Sequence, residues 1–527
     1  MNYIKHLSPN TTTQAEPLFS STPQVENNSG GFVWEVDHWT RLERFLILGC
    51  EGGSYYTGER EMTRANASIV EQCTTLDPNR TAEIIACISE DGRAPKNDAA
   101  IFALALVASS KNWEASRAAL CRLDRVCRIP THLFQFLSIC KELRGWGRGF
   151  RNAVAAWYKY RNPEKLAYQV TKYRNRHGFT HRDVLRLCHV KTGDGTLNSL
   201  FKYITQGTLP CEEKLKLVVG FDLIQKLDKR AEDTAAMLIK EHGLTLEHVP
   251  NTLLGSSKVW GALLPNLPMT ALIRNLGKMT AIGMLKPLSS GVDKVCETLT
   301  NKKRLHKSRI HPLSILLART VYEKGSGVRG SLQWQASRQV VDALEEAFYA
   351  SFKNVEPTGK RHLLALDVSG SMSWNYCDNG LLSCAQGAAC MAMATARTEP
   401  KTHIVGFSDI IKPLAIGKHT DMRTALQRIS SCTFGSTDCA QPMMYAMANE
   451  LEVDVFVVYT DNETWAGHIH PSVALKQYRR KMGIDAKLIV VGMQANPFTI
   501  ADPNDTGMLD MCGFDASAPQ VIKSFVG

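Results

Sequence analysis

The chain has 527 residues, which is too long for one ordinary hydrophobic core, so two or more domains are expected. Its hydrophobic content of 44% and charged content of 21% are ordinary for a globular soluble protein, and no apolar run approaches the ~20 residues of a membrane span. The formal net charge of +11 favours a polyanionic partner without identifying it.

The cysteines indicate the compartment. There are fifteen, scattered along the chain, odd in number and without C-x-x-C pairs. This pattern is typical of reduced thiols in an intracellular protein rather than of a disulfide framework or a zinc site. The N-terminus also lacks the apolar core of a secretory signal. We therefore expect a cytoplasmic location, in which a nuclear pool is allowed, and no association with membranes.

A polar stretch begins the chain and a long helical region follows it. Residues 1–30 are rich in Thr, Ser, Pro and Asn and are predicted to be a disordered tail. From residue 31 to 352, apolar residues recur at helical spacing, with Pro and Gly between the segments. Eight or more helices are too many for a four-helix bundle. A large bundle and an α-solenoid both remain open, because no strict repeat period is present.

A strongly basic stretch lies inside the helical region, between Lys141 and Lys191. It contains thirteen Lys and Arg residues and three acidic residues, so its excess of ten positive charges is nearly the whole net charge of the chain. Aromatic residues are interleaved with these charges. Basic side chains neutralise phosphates and flat rings stack on unpaired bases, so the stretch favours nucleic acid over an ordinary solvated surface.

Two neighbouring helices are predicted to form one basic wall. In the helix after Pro163, Lys172 and Arg176 fall on an exposed face, and Thr180 with Asp183 begins the next helix as a capping box. The candidate contacts on and around this wall are Arg148, Arg151, Lys172, Arg174, Arg176, Arg182, Arg186 and His189. Two other basic groups extend this surface or are merely solvated: Lys302, Lys303, Arg304, Lys307 and Arg309, and Arg274 with Lys278.

A connector at residues 353–360 leads to residues 361–527, where strands and helices alternate. This alternation predicts a doubly wound α/β domain, which binds ligands at the carboxyl ends of its strands. One strand ends in Asp367-Val-Ser369-Gly-Ser371, a later strand ends at Asp461, and a Gly/Ser loop between them carries Thr437. Three loops can therefore bring five oxygen-bearing side chains to one site. Such a set suits a hard divalent cation, above all Mg²⁺.

The ordered set of D-x-S-x-S, a loop threonine and a strand-end aspartate resembles the metal-ion-dependent adhesion site of von Willebrand factor A domains. By that resemblance Asp367, Ser369, Ser371, Thr437 and Asp461 hold the metal, some directly and some through water. In such sites a carboxylate from a partner protein often completes an open metal position. The identity of that partner protein is left unknown.

Several upstream segments resemble the TROVE module. They are Cys127–Phe134, Trp146–Arg148, Ala155–Tyr158, Arg186–His189 and Met269–Thr280. A TROVE module followed by an A domain resembles the layout of the Ro ribonucleoprotein family, and the resemblance runs from about residue 30 to the end. It implies an all-α, HEAT-like helical-repeat solenoid at 31–352, closed as a monomeric ring by the von Willebrand factor A domain at 361–527.

The resemblance also implies partners. Y RNAs would bind the basic outer surface, and misfolded ribosomal or small nuclear RNAs would pass a single-stranded 3′ end into the hole. Lys172, Arg176 and His189 match positions implicated in RNA binding in that family. The chain departs from the family pattern at Cys188, where a serine is expected, and in a shortened region at 193–210.

These residues bear on three functions. The first is an RNA-binding protein that stabilises small non-coding RNAs and takes part in their quality control. The alternative is a metal-dependent, adhesion-type protein-interaction scaffold with incidental RNA binding. An enzyme is not expected, because no P-loop lysine motif stands out. In addition, Ser369 occupies the position where a haloacid-dehalogenase phosphatase needs an aspartate.

Overall fold

The computed structural model shows two differently built regions, a row of helices and an α/β domain that follows it. It describes residues 11–48, 68–94, 96–287, 289–308, 310, 312–327, 331–351, 357–374, 376–377, 382–432, 435–494, 496–513 and 518–526. Residues 1–10 of the predicted tail, part of the predicted connector at 353–360, and Arg309 lie outside the described residues.

The N-terminal segment folds against the α/β domain, so the predicted disordered tail is wrong for residues 11–30. Strand β1 (Val25–Glu26) pairs antiparallel with β2 (Phe32–Glu35), and β2 pairs in turn with β12 (Phe498–Thr499) of the α/β domain. Gln14 is fully buried. The polar composition that suggested disorder instead supplies hydrogen bonds to the α/β domain, which keep the segment ordered.

The predicted helical region is observed as a row of short helices. They are α1 (His38–Leu48), α2 (Ser68–Leu76), α3 (Pro78–Asp91), α4 (Asp98–Ala108), α5 (Trp113–Leu120), α6 (Leu123–Val126), α7 (Pro130–Leu143), α8 (Arg148–Lys159), α9 (Pro163–Lys172), α10 (His181–Cys188), α11 (Gly195–Gln206), α12 (Lys216–Ile224), α13 (Glu232–His242), α14 (Ser257–Leu263), α15 (Met269–Ala281), α16 (Ser290–Thr300), α17 (Lys302–Ser308), α18 (Pro312–Lys324) and α19 (Arg338–Ser351). A hairpin of β3 (Asn175–Arg176) and β4 (Phe179–Thr180) separates α9 from α10.

The helices form because each has an apolar stripe that a neighbour covers. Helix α4 is the extreme case, since its Ala, Ile, Leu and Val side chains are buried nearly all round and it packs against α3, α5 and α7. Capping residues set the ends. Asn162 caps the N-terminus of α9, and Pro163 occupies its first turn. Asp77 caps the N-terminus of α3, and Gly92 caps its C-terminus. The packing runs on from helix to helix along the row.

The α/β domain has the alternating order that the sequence predicted. Its elements are β5 (Arg361–Asp367), α20 (Gly370–Trp374), β6 (Tyr376–Cys377), β7 (Leu382–Ser383), α21 (Cys384–Thr398), β8 (Lys401–Phe407), β9 (Ile411–Pro413), α22 (Met422–Ser430), α23 (Gln441–Ala448), β10 (Val455–Thr460), α24 (Pro471–Met482), β11 (Lys487–Gly492), β12, β13 (Met508–Cys512) and α25 (Ala518–Val526). Six strands form one sheet in the order β13-β11-β10-β5-β8-β9, parallel except for β9.

Helices cover both faces of this sheet, which confirms the doubly wound architecture. Along β5, Leu364 and Leu366 join the core that contains α21, whereas Leu363 and Ala365 join the core that contains α23 and α24. This alternation follows from the two-residue period of a strand. Because β5 and β10 are parallel neighbours, their carboxyl ends lie side by side at one edge.

The α/β domain contacts both ends of the row of helices, so the chain closes on itself as a ring. At the α1 end, Arg44 is buried and places Nη2 2.6 Å from the carboxylate of Asp510. At the α19 end, the carboxylate of Glu345 lies 3.7 Å from Arg397, whose guanidinium stacks 3.7 Å over the ring of Tyr349. These contacts confirm the closed helical ring that the family resemblance implied.

Two further findings concern membranes and thiols. Within the described ranges, no helix combines the length and apolarity that crossing a membrane requires. The cysteines whose side chains are described are free, and most of them are buried. Free thiols are what the scattered cysteine pattern predicted.

Removing one partner of the Arg44 contact should destabilise the closure strongly. Arg44→Ala leaves the carboxylate of Asp510 buried without its cation and removes a donor 2.9 Å from the carbonyl of Phe498. We expect a loss of about 3 kcal/mol or more in the free energy of unfolding, measured by chemical denaturation. Arg338→Ala, which breaks an exposed pair with Asp342, is the control and should cost about 0.5 kcal/mol or less. Equal, small losses in both variants would contradict this account of the closure.

Candidate nucleic-acid interface and metal site

Helix α10 presents the basic face that its sequence predicted. Arg182, Arg186 and His189 are exposed, whereas the apolar side of the helix is buried. The capping box between Thr180 and Asp183 is present, and His189 ends the helix in the left-handed conformation with φ 49°. Asp183 is hydrogen-bonded to Thr180 at the start of α10, and the exposed face beyond it carries Arg186 and ends at His189.

Helix α8 packs against α10 and adds two arginines. Arg148 is exposed and Arg151 is half-exposed. Arg151 lies close to Cys188 of α10, where burial raises the pKa of the thiol to about 12 although the arginine opposes this. The cysteine that replaces the expected serine is therefore a buried, neutral thiol.

The predicted helix through Arg176 is wrong, because α9 ends at Lys172. Arg176 lies instead on β3 of the hairpin, where it is exposed and hydrogen-bonds the carbonyl of Asn175. His177 and Gly178 make the turn with positive φ angles of 50° and 75°. Arg174, just before the hairpin, is exposed and lies 5.4 Å over the ring of Phe221. The hairpin therefore brings Arg174 and Arg176 to the surface beside α10.

Lys172 does not share that surface. Its side chain is only 9% exposed and Nζ lies 3.1 Å from the carboxylate of Glu247. The ammonium also donates to the hydroxyl of Tyr168 and sits 5.1 Å from the ring of Tyr173. The predicted exposure of Lys172 is wrong, because a partner distant in sequence sequesters the charge. Its position makes it a support for the surface.

A buried histidine anchors the hairpin and α10 to α8. Burial lowers the pKa of His181 to about 4, so the ring is neutral at neutral pH. Its Nε2 lies 3.1 Å from the carbonyl of Tyr173, which can only accept, and its Nδ1 lies 2.8 Å from the hydroxyl of Tyr158. The proton therefore resides on Nε2, and Nδ1 accepts from the tyrosine. This pairing fixes the position of the helix that carries Arg182.

We define the basic surface as Arg148, Arg151, Arg174, Arg176, Arg182, Arg186 and His189. Its arginines form no ion pair with any acidic side chain that the structure describes. Lys202 of α11 was missed by sequence reasoning and is exposed beside Arg186, where both line a cleft of about 350 Å³ between α10 and α11. The sequence did contain a signal for Lys202, because the apolar Leu200 and Phe201 mark the buried side of α11.

The second predicted basic groups lie elsewhere. Lys302, Lys303 and Lys307 are exposed on α17. Arg304 turns to the carbonyl of Leu267, 2.9 Å away, and is half-buried. On α15, which packs against α17, Arg274 is exposed and Lys278 half-buried. Nothing in these contacts distinguishes this group from a solvated face.

The five predicted metal residues come together at the carboxyl edge of the sheet. Asp367 ends β5, Asp461 follows β10, and Thr437 lies in the loop before α23. Asp367, Ser369, Thr437 and Asp461 are buried, and Ser371 is half-buried. The hydroxyl oxygens of Ser369 and Ser371 are 3.3 Å apart. Asp367, Ser369, Ser371 and Asp461 thus form one compact cluster of oxygen atoms. Thr437 lies on a loop that is hydrogen-bonded to the loop after Asp461.

The electrostatics of this cluster favour a cation. Burial and the charge of Asp461 raise the pKa of Asp367 to about 7, even though Ser369 N and the hydroxyl of Thr460 donate to its carboxylate at 2.9 and 2.7 Å. Burial likewise raises the pKa of Asp461, opposed by the nearby hydroxyl of Ser371. Oδ2 of Asp461 is buried without a hydrogen-bond partner. A bound cation would lower both pKa values and would give Oδ2 of Asp461 a partner.

The donor set is unusually rich in hydroxyls. In the part of the chain that is described, no cluster of three or more His, Cys, Asp or Glu side chains could hold a metal ion. Two carboxylates with three hydroxyls provide only oxygen ligands and a modest negative charge. That combination suits Mg²⁺ or a similar hard cation, which retains several waters, better than it suits zinc.

The N-terminal segment clamps the loops that carry these residues. The Gln14 amide donates to Oδ1 of Asp438 at 2.7 Å and accepts from the hydroxyl of Thr464. The amide of Asn27 donates to the Thr464 carbonyl at 2.8 Å. A Cβ at Gly31 would lie 1.8 Å from that same carbonyl oxygen, so only glycine fits there. Sequence reasoning missed this clamp because its partners are hundreds of residues apart.

Comparisons with known proteins agree with this architecture. The TROVE domain family matches residues 25–321, and the Ro60 vWA domain family matches residues 361–526. The chain is 42% identical to the RNA-binding protein RO60 of Deinococcus radiodurans, over 99% of both chains. It is 38% identical to the RNA-binding protein RO60 of Caenorhabditis elegans, over 95% of this chain and 90% of the relative.

A solved structure is also similar to this chain across most of its length. The crystal structure of the Deinococcus radiodurans RO (RSR) protein superposes with a TM-score of 0.71 at 41% identity, covering 93% of this chain and 99% of that one. The similarity to these relatives therefore spans both the helical region and the α/β domain. The chain belongs to the Ro60 family, in which a TROVE domain precedes a Ro60 vWA domain.

Proposed function

We propose that this protein binds RNA through the basic surface and acts as a ribonucleoprotein core. The observation that carries the proposal is a row of arginines on α8, the hairpin and α10 that have no acidic partner in the described structure. Unpaired arginines on neighbouring rigid elements are suited to phosphate oxygens, which they can bind in pairs of hydrogen bonds. Relatives named as RNA-binding proteins support the proposal.

The arrangement favours recognition of RNA shape over sequence. Side chains cannot read the deep, narrow major groove of A-form RNA, so contacts fall on phosphates and 2′-hydroxyls. His189 adds a hydrogen-bonding ring at the end of α10, where its backbone is in the left-handed conformation. We propose small structured RNAs as ligands, with Y RNAs and misfolded ribosomal or small nuclear RNAs as the specific partners.

The proposed RNA binding also suggests a biological role. A monomeric ring that holds small RNAs would stabilise them and present misfolded ones for quality control. A cytoplasmic location, with a nuclear pool allowed, fits the free thiols. A non-enzymatic role is supported by Ser369, which replaces the second aspartate that a haloacid-dehalogenase phosphatase would need.

Reversing charge on the basic surface should weaken RNA binding strongly. For Arg182→Glu/Arg186→Glu we expect at least a tenfold loss of affinity for a structured small RNA at about 0.15 M salt, because phosphate contacts are replaced by repulsion. The slope of affinity against salt concentration should fall by about two, one for each lost contact. Filter-binding titrations across salt measure both quantities.

The matched control is Lys412→Glu/Lys418→Glu. These exposed residues lie on the α/β domain and the double change alters net charge by the same amount. An equal loss in both double variants would mean that net charge alone drives binding, which would contradict a defined surface. Lys172 is a poor probe, since its removal leaves Glu247 without its partner and changes the fold locally.

A second candidate function belongs to the metal site. We propose that Asp367, Ser369, Ser371, Thr437 and Asp461 hold a divalent cation, Mg²⁺, and that the unpartnered Oδ2 of Asp461 faces it. When bound, the cation would neutralise the two carboxylates and offer an open position to a carboxylate of a partner protein. The residues of the chain would orient it and exclude bulk water, because four of the five are buried.

The Asp461→Asn substitution should abolish metal binding at this site and leave RNA binding unchanged. Isothermal titration with MgCl₂ should give a binding isotherm for the native protein and none for the variant. Saturation at a hundred times the dissociation constant should add about 2.7 kcal/mol to the stability of the native protein alone. Asp485→Asn, at a 97% exposed carboxylate of the same domain, is the control. Loss of RNA binding in a folded Asp461→Asn protein would show that the two sites are not separate.

A further inference from the structure

Residues 461–464, here named the metal loop, are held in place by the N-terminal segment and by the loop after β11. The hydrogen-bond partners are Asn496 at the carbonyl of Asp461, the Ile500 amide at the side chain of Asn462, Asn28 at the carboxylate of Glu463, and Asn27 with Gln14 at Thr464. Asn462 adopts φ 65°, a left-handed conformation that persists only where the surroundings enforce it. The shape of the metal loop therefore depends on these neighbours.

Asn496 joins the metal loop to the closure of the ring. It is buried, and its Nδ2 donates to the carbonyl of Asp461 at 2.7 Å. Its own carbonyl accepts a hydrogen bond from Nη1 of Arg44 on α1. A Cβ at Gly492 would lie 3.5 Å from Nη2 of Arg44 and 3.6 Å from Nδ2 of Asn462, so both side chains border the same strand end. One residue therefore connects Asp461 to the first helix of the ring.

The segment that follows Asn496 repeats this two-sided arrangement. On one side, the Ile500 amide donates to Oδ1 of Asn462 at 3.1 Å. On the other side, the Pro497 carbonyl accepts from the amide of Val36, just before α1, at 3.0 Å. Strand β12 within the segment also pairs with β2, which leads into α1. A displacement of α1 therefore moves the groups that hold the metal loop.

The closure at the α19 end lies at the other edge of the sheet. Arg397, which faces Glu345 there, is in the last turn of α21, and β8 follows at Lys401. A crossover helix carries the chain back to the amino edge before the next parallel strand begins, so Arg397 lies at that edge. Asp461 lies at the carboxyl edge. The two closures therefore differ in their proximity to the metal loop, and the α1 closure is the nearer one.

We propose that metal binding and the docking of α1 are coupled through Asn496, which acts as a positioning residue for the metal loop. A cation at the proposed metal site then strengthens the docking of α1, and an undocked α1 weakens metal binding. The inference rests on the proposed metal binding and extends it. Two sites that favour the same arrangement of a shared segment must strengthen each other by the same free energy.

The sign of the coupling follows from the metal loop without a cation. Oδ2 of Asp461 is then buried without a partner, and the carboxylate of Asp367 lies nearby. Both are unfavourable in a buried site, and both are relieved when the metal loop moves outward. That movement withdraws the Asp461 carbonyl from Asn496 and frees the segment that Arg44 holds. A bound cation removes the cause of the movement.

The first test measures hydrogen exchange of the full chain with and without saturating MgCl₂. Exchange of the amides of α1 (His38–Leu48) should slow about fivefold or more when Mg²⁺ binds, since couplings between sites are usually at least this large. The amides of α18 (Pro312–Lys324), which packs against α19 at the other closure, should change less than about twofold.

Asn496→Ala separates coupling from general stabilisation in the same experiment. The variant loses the donor to the Asp461 carbonyl but keeps the backbone carbonyl that accepts from Arg44. At MgCl₂ concentrations that saturate the variant, as calorimetry determines, the slowing of α1 should fall below about twofold although the metal is bound. A residue that only supports the local fold would leave that response to Mg²⁺ intact.

The reciprocal test measures Mg²⁺ affinity by isothermal titration. Arg44→Ala should lower the affinity about fivefold or more, because the docking of α1 no longer supports the metal loop. Arg397→Ala is the control at the other closure and should stay within about twofold of the native protein. If Arg44→Ala does not fold, Arg44→Lys takes its place, since lysine keeps the charge but loses the fork that spans Asp510 and the Asn496 carbonyl.

Several results would overturn the inference. Mg²⁺ binding that leaves exchange in α1 unchanged, or that slows α1 and α18 alike, would leave the proposed metal binding intact and remove the coupling. Native Mg²⁺ affinity in a folded Arg44 variant would have the same meaning. Absence of Mg²⁺ binding by the native protein would remove the coupling and the proposed metal binding together.

Discussion

The buried contact between Arg44 and Asp510 is the constraint on which the ring depends. A row of helices packed only on its neighbours has two open ends, each with an apolar stripe that nothing covers. Here the α/β domain covers both ends, and Arg44 joins the first end by an ion pair and carbonyl contacts that exclude water. A buried ion pair contributes little net stability compared with an apolar replacement, but it is intolerant of a wrong partner. The contact therefore specifies where the ring closes.

Closure matters for function because it fixes the basic surface on a rigid frame. The arginines of α8 and α10 are separated by turns of chain that could otherwise shift relative to each other. His181 of α10 is hydrogen-bonded to the hydroxyl of Tyr158 of α8 and to the carbonyl of Tyr173, just before the hairpin, and Lys172 pairs with Glu247. Cations that are already positioned lose less conformational freedom when phosphates bind.

Local patterns predicted what depends on near neighbours in the sequence. The alternation along β5, the aspartates at the ends of β5 and β10, and the capping box before α10 were all readable in this way. Contacts between segments that are distant in the sequence could not be predicted from such patterns. Gln14 and Asp438 are 424 positions apart, so nothing near Gln14 indicated that its polar segment would be buried. The predicted helix through Arg176 was wrong because His177 and Gly178 turn the chain. Lys172 matched a basic family position, yet Glu247 withdraws it from the surface.

We propose that RNA binds the helical ring and that the candidate metal site of the α/β domain serves another partner. An electron cryomicroscopy structure of the protein with the RNA that copurifies with it tests this division most directly. We predict RNA phosphates within hydrogen-bonding distance of Arg182 and Arg186, with the loops of Asp367 and Asp461 free of RNA. A complex in which the RNA contacts those metal-site loops and leaves α10 exposed would contradict the account.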